Sequence, residues 1–181
     1  VLGENPMMSE PNQNHARHAL EQLEFLVCQD IFINETGEMA DVILPATSFA
    51  EKDGTFTNAE RRISPVRKVM KPLGGLADWE ATMGLSNALG YPMNYAHPAE
   101  IMDEIASLTP TFTDVSYQKL DELGSIQWPC NAQHPQGSPT MHVGEFVRGK
   151  GRFMLTGYVP TREKISRRFP LLLTTGRILS Q

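Results

Sequence analysis

Two short apolar runs, each broken off abruptly, constrain this chain more than any other feature. Phe25-Leu26-Val27-Cys28 stops at the polar pair Gln29-Asp30, and Asp41-Val42-Ile43-Leu44 stops at Pro45. Runs this brief are too short for a buried helix. A strand of a parallel sheet, covered on both faces, reads in this way and delivers the residues that follow it to a crevice at its carboxyl end. Pro45 has no N–H to donate and closes the second ladder. Ahead of the first run, Ala16, Ala19, Leu20 and Leu23 fall at helical spacing with Asn12 or Asn14 as N-cap. With Val1-Leu2-Gly3 as the end of an earlier strand, these segments compose a strand, a crossover helix and a parallel strand, joined with right-handed sense. The predicted class is α/β, a Rossmann-like, mostly parallel sheet with crossover helices.

Further along the pattern changes. Residues 49–77 lack helical period, and Thr55-Phe56-Thr57, Arg61-Arg62-Ile63 and residues 65–70 alternate like two short antiparallel strands, a small β insertion that an α/β sheet does not need. A helix resumes with Asp78 as N-cap and runs through Met83, Leu85 and Leu89 to a stop at Gly90. Residues 98–105 form a second amphipathic helix and residues 117–123 a short third one. Residues 131–140 are a Pro/Gly/Ser linker, after which residues 151–155 and 169–177 again read as strands.

The composition is that of an ordinary globular chain, 40% hydrophobic and 20% charged over 181 residues. A net charge of −5 argues against a nucleic-acid partner. Arg61, Arg62, Arg67, Lys68 and Lys71 do cluster, as a solvated or cofactor-facing strand edge or as an external anion site. Cys28 and Cys130 are the two cysteines and have no CxxC companion, so neither a disulfide framework nor a zinc site is expected, and neither thiol reads as catalytic. His15 and His18 sit three apart, a spacing a metal could use and one equally common on a solvated helix face. The apolar run at residues 169–173 is far short of the roughly twenty residues of a membrane span. A chain that begins at Val1 and ends at Gln181 just after a strand-like run is expected to be cut at both ends.

The carboxyl-end rule singles out particular residues. Gly3-Glu4-Asn5 turns the chain sharply, either toward a ligand or simply from strand into helix. Gln29 and Asp30 end the next strand beside it, as ligand contacts or, for Asp30, as a cap of the following turn. Asp41 precedes its strand and is better suited to tying loop N–H groups. Thr47 and Ser48 follow that strand and are the better contacts. Asp78 at a helix start offsets the dipole.

Ala40-Asp41, Leu44-Pro45, Thr47-Ser48 and Glu51, followed by Gly54, Asn58 and Arg61, resemble the signature region of the molybdopterin oxidoreductase family, enzymes that hold molybdenum or tungsten between two pterin guanine dinucleotides. Gly37 departs from that pattern, which usually has a small non-glycine residue there. Tyr117-Gln118-Lys119-Leu120-Asp121-Glu122-Leu123-Gly124 and Ile126-Gln127-Trp128-Pro129-Cys130 resemble the formate dehydrogenase branch in particular. The resemblance implies that Gly3, Glu4, Asn5 and Ser9 contact one guanine dinucleotide, that Gln29 and Asp30 reach its ribose and pyrophosphate side, that Thr47 joins them, and that Asp78 grips the guanine base. Arg177 matches a position that reaches the pterin or its phosphates, and a guanidinium fork suits a pyrophosphate; a surface arginine at a strand end is the plain alternative.

The same resemblance implies an organisation. Residues 1–48 and 78–140 would be two parts of one dinucleotide-binding domain, residues 49–77 would belong to an iron–sulfur domain and have their partner strands outside this chain, and residues 141–181 would be a linker and the first strands of a C-terminal β-barrel. The longer protein would oxidise formate to carbon dioxide, with molybdenum or tungsten as the metal, and pass electrons through iron–sulfur clusters to further subunits. Neither a catalytic residue nor a metal ligand is expected within these 181 residues. The expected location is the cytoplasm, with the periplasm as alternative. Rival readings are a nitrate reductase-like member of the family and a cofactor-free iron–sulfur scaffold subunit of an NADH dehydrogenase. A free-standing nucleotide-binding module would need GxGxxG or a P-loop after a strand, and neither occurs.

Overall fold

Val27–Asp30 and Val42–Pro45 are strands β1 and β2, paired in parallel with Cys28 opposite Ile43 and Asp30 opposite Pro45. They belong to a computed structural model that describes residues 1–146, 148–174 and 176. The ladder ends as the proline requires. Beyond it the next N–H, from Ala46, donates to the Asp30 carbonyl at 3.0 Å. On the other edge the Gln29 N–H donates to the Val1 carbonyl at 2.9 Å and the Gly3 N–H donates to the Gln29 carbonyl at 2.8 Å, so the first residues lie parallel to β1 as well. Gly3, at φ 60°, then turns the chain into a short helix, α1 (Pro6–Ser9), and the crossover helix α2 (Gln13–Glu21). The Asn12 side chain caps α2 by accepting the His15 N–H at 3.3 Å.

The expected strand at residues 25–28 is displaced by two residues, because pairing rather than hydrophobicity sets its ends. Phe25 is exposed, and the Leu26 backbone is taken by residue 41: its N–H donates to Asp41 Oδ2 at 2.7 Å and its carbonyl accepts the Asp41 N–H at 2.9 Å. Asp41 thus ties backbone, as its place ahead of a strand suggested.

Gly54–Thr57 and Arg62–Val66 form the antiparallel pair β3 and β4, and Ile126–Gln127 adds a third strand, β5, to the far edge of β4. Here the structure corrects the expectation that this insertion finds its partner strands outside the chain. Ile63 pairs with Thr57 on one side and Ile126 on the other. Two residues carry no readable period, which is why β5 was not legible as a strand. Helices α3 (Asp78–Ala88), α4 (Pro98–Leu108) and α5 (Tyr117–Leu123) occupy the expected places. Gly90 at φ 86° and Gly124 at φ 76° follow α3 and α5 in the left-handed conformation that ends helices.

One core gathers Ile63, Met102, Val115, Leu120, Ile126 and Cys130, with Phe112, Tyr117 and Trp128 packed against it. Burial pushes the Cys130 thiol up, so it behaves as a small hydrophobe, as does buried Cys28. Arg61, at φ 68°, donates from its guanidinium to the carbonyls of Trp128 and, at 3.1 Å, of Ser138, locking the loop after β5 onto the start of β4.

By contact the chain divides into Val1–Ser138 and Pro139–Gln181. In the second unit no ladder forms among the described residues of 151–174, although strands were expected there; Phe153, Leu155, Leu171 and Leu173 are exposed. A run that pairs with nothing leaves its N–H and C=O groups to water and is not held as a strand. The site assignment at Arg177 lies outside the described residues.

Candidate functional site

The carboxyl ends of the three parallel segments bring Gly3, Asp30 and Ala46 to one edge, and the loops that leave this edge are built by side chains. The Asn5 amide donates to Glu35 Oε2 at 2.7 Å, and its oxygen accepts the Thr36 hydroxyl at 2.7 Å. Thr36 is fully buried and accepts the Met7 N–H at 3.1 Å. The Asn5 side-chain amide holds the Glu35 carboxyl below the usual carboxylate range. Asp30 accepts the Ile31 N–H at 2.7 Å and the Asn34 amide at 2.9 Å, while Asn34 accepts the Gly37 N–H at 2.9 Å. The side chains of Asn5 and Asp30 are therefore engaged in fixing the loop of residues 31–37. Glu4 is exposed and accepts the Asn5 N–H at 3.1 Å, and Ser9 is an exposed residue at the end of α1.

Gln29 and Asp78, 49 residues apart, are brought together. The buried Gln29 amide reaches Asp78 Oδ1 at 3.5 Å, the outer limit of a hydrogen bond, and the Lys52 ammonium forms an ion pair with Asp78 Oδ2. The Asp78 side chain remains 50% exposed, whereas Lys52 is 21% exposed. Asp78 is not the N-cap that its sequence position predicts. It is the first helical residue, because the Glu80 carboxylate accepts the Ala77 N–H at 2.8 Å and does the capping work itself. The Asp78 carboxylate is thereby left to face Lys52 and Gln29. Lys52 escaped the sequence reading: its place beside the signature Glu51 was visible, but its partner 26 residues away was not.

Thr47 and Ser48 follow β2 and diverge in role. Glu51 Oε2 accepts both the N–H and the hydroxyl of Ser48, each at 2.8 Å, capping the 3-10 turn Phe49–Glu51. Glu51 Oε1 accepts the Leu73 N–H at 2.8 Å, and these bonds hold the carboxyl below the usual glutamate range. Thr47 is buried, and among the described residues its Oγ1 is a buried side-chain oxygen with no hydrogen-bond partner. Such a group costs about 1–3 kcal/mol until something pairs with it, which marks a place where a ligand atom would be rewarded. Thr47→Val is accordingly expected to stabilise the ligand-free protein by about 1 kcal/mol, read as a raised urea midpoint. A lowered midpoint would mean that the hydroxyl has a partner in solution.

A cavity of about 470 Å³ opens beside this edge, between Ile31 and Phe32 after β1, Pro45 and Ala46 at the end of β2, and Met70 and Leu73. Another, of about 280 Å³, has Lys52, Asp78, Trp79, Met102 and Tyr117 among its walls. No group of three or more His, Cys, Asp or Glu side chains among the described residues is arranged to hold a metal ion, and His15 and His18 are both exposed. Two of the five residues of the basic cluster form ion pairs: Arg62 with Glu60 at 2.8 Å and Arg67 with Asp121 at 2.6 Å. No helix among the described residues is long and apolar enough to cross a membrane.

Comparison with known proteins finds relatives of this chain. A family model described as "Molybdopterin oxidoreductase" matches residues 1–88, a span that includes the sequence-predicted site residues from Gly3 to Asp78 and does not reach Arg177. The F420-dependent formate dehydrogenase subunit alpha of Methanocaldococcus jannaschii is 41% identical over 184 residues, covering 99% of this chain and 27% of that protein. The probable oxidoreductase YjgC of Bacillus subtilis is 40% identical over 181 residues, covering 99% of this chain and 18% of that one. Among solved structures, acetylene hydratase from Pelobacter acetylenicus aligns with a TM-score of 0.55 at 20% identity over 68% of this chain and 17% of its own, a likeness of fold. The chain spans about a quarter or less of the length of these relatives. Residues 1–88 thus match the molybdopterin oxidoreductase family, and the chain as a whole aligns nearly end to end with relatives named as a formate dehydrogenase alpha subunit and an oxidoreductase.

Proposed function

We propose that this chain forms part of the cradle for a molybdopterin guanine dinucleotide in the catalytic subunit of a formate dehydrogenase. The observation that carries the reading is the convergence of Gln29 and Asp78 at the carboxyl edge of the parallel sheet, with the unpartnered hydroxyl of Thr47 after the neighbouring strand. Half of the Asp78 side chain faces outward, and each carboxylate oxygen has a second lone pair beyond those used by Gln29 and Lys52. Two such acceptors match the N1–H and exocyclic amine of guanine and mismatch adenine. Thr47 offers a hydroxyl to the dinucleotide. The turn at Gly3, Glu4 and Asn5, the α1 residue Ser9 and the carboxylate of Asp30 shape the edge against which its ribose and pyrophosphate would lie. Arg177 would add a fork for the phosphates.

In this reading the bound cofactor, with molybdenum or tungsten, supplies the oxidation of formate to carbon dioxide, and iron–sulfur clusters elsewhere in the longer protein carry the electrons away. The residues of this chain bind, orient and exclude water, which is the protein's share of cofactor chemistry. The identities of 40–41% to proteins named as formate dehydrogenase alpha subunits support formate over other substrates of the family. The test is made on the protein purified anaerobically, with metal, pterin and guanine nucleotide content measured beside formate-dependent dye reduction. All four together are expected. Cofactor without formate turnover would discard the substrate, and absence of cofactor would discard the cradle.

A further inference from the structure

Residues 68–75 follow β4 and carry no regular structure, yet four of the eight are tied down by their backbone N–H groups. The Lys68 N–H donates to Asp53 Oδ1 at 3.0 Å, and the Val69 and Met70 N–H groups share the Ala50 carbonyl at 2.9 and 3.1 Å. The Leu73 N–H donates to Glu51 Oε1 at 2.8 Å. Gly75 then passes so close to the end of β2 that a Cβ added there would stand 2.6 Å from the Pro45 carbonyl oxygen and 2.7 Å from that of Ala46. Only glycine fits such an approach.

This arrangement is costly to build if it serves only to connect β4 to α3. Leu73 is 93% exposed and Met70 49%, so the segment gains little from burying its own side chains. What it does is close one side of the cavity of about 470 Å³ whose other side is Ile31, Phe32 and the end of β2. Glu51 stands at the junction. One of its carboxylate oxygens fixes Ser48, next to the unpartnered Thr47, and the other fixes the segment at Leu73.

We infer that residues 68–75 are a strap forming the outer wall of the cofactor crevice, and that Glu51 and Gly75 are the positioning residues that lock it across the carboxyl end of β2. The inference rests on the cofactor reading above. It predicts that loosening the strap frees the dinucleotide without touching it. An alanine at residue 75 cannot occupy its present place and pushes the strap off Pro45 and Ala46. Glu51→Ala removes both anchors. Glu51→Gln keeps the shape and one accepting oxygen, so that either Ser48 or Leu73 remains bound while the other N–H faces an amide NH2.

The experiment follows loss of pterin nucleotide from the holoenzyme during buffer exchange, together with hydrogen exchange at Leu73 and the thermal midpoint. Release about tenfold faster is expected in Gly75→Ala and Glu51→Ala, the equivalent of one charge-assisted hydrogen bond. Glu51→Gln should recover part of the retention, and exchange at Leu73 should rise in step with release. A control, Ile126→Val in the core, should lower the midpoint and leave release unchanged. Release as slow as wild type in both strap variants, with Leu73 exposed to exchange, would overturn the inference. If the control releases cofactor as fast as they do, the effect is one of general stability and the inference also fails. A wild-type protein devoid of pterin nucleotide would instead sink the cofactor reading, and is distinguished by that.

Discussion

Ile63→Ala is expected to cost the unit formed by residues 1–138 about 3 kcal/mol, the middle of the range for emptying a well-packed site of an isoleucine. Ile63 is fully buried and occupies the middle strand of the antiparallel sheet, paired with Thr57 on β3 and Ile126 on β5. Met102 from α4, Leu120 from α5, Val115 and Cys130 complete its surroundings. Truncation therefore opens a hole at the point where the antiparallel sheet meets two helices, and backbone on both sides of β4 resists collapse into it. The measurement is the urea midpoint followed by tryptophan emission, since Trp128 packs on this core. Val69→Ala, at a side chain 79% exposed, is the control and should change stability by no more than about 0.5 kcal/mol. A loss below about 1 kcal/mol for Ile63→Ala would mean that the site closes around the smaller side chain and that the three-stranded arrangement is not rigid.

That core also explains what the sequence could and could not say. Local signals were legible: an N-cap at Asn12 or Asn14, the glycine stop at Gly90, and the two parallel strands with Pro45 closing the second. Each depends on residues within a few positions of one another. Non-local pairings were not. The dipeptide Ile126-Gln127 drew notice as part of a motif, and only its partner Arg62–Val66 makes it a strand. Arg61 read as one of a basic cluster, whereas its guanidinium serves carbonyls 67 and 77 residues away. In the same way the site was legible as a set of strand ends and not as a network. The sequence could place Asn5 and Asp30 at an edge but not reveal that Glu35, Thr36, Ile31 and Asn34 already bind their side chains. Nor could it show that Glu80 relieves Asp78 of capping, or that Lys52 would stand against it. The apolar runs at residues 151–155 and 169–173 show the converse failure: a strand-like composition predicts a strand only where a ladder exists to receive it.

On the proposed reading of the cradle, Asp78→Asn is expected to strip the purified holoenzyme of most of its dinucleotide while leaving the affinity for formate in the loaded fraction unchanged. The substitution preserves shape and replaces one acceptor oxygen by an NH2 group, so that one of the two guanine donors would meet another donor. It also removes the charge that the Lys52 ammonium pairs with and that makes the remaining hydrogen bonds charge-assisted. Loss of one such bond is worth about 1.5–3 kcal/mol, or about 10- to 150-fold in retention. The structural cost is smaller. Asp78 is the first residue of α3, and neutralising it there forfeits about 0.3–1 kcal/mol of helix-dipole interaction, with Glu80 still holding the Ala77 N–H. A thermal midpoint close to that of wild type, low guanine nucleotide and pterin content, and an unaltered KM for formate are thus expected together. The contrast between retention and KM decides the matter, because a residue that touches formate would change KM and one that only props the helix would change the midpoint. Full cofactor content in the variant would remove Asp78 from the base-binding role and leave Gln29 and Thr47 to define the cradle.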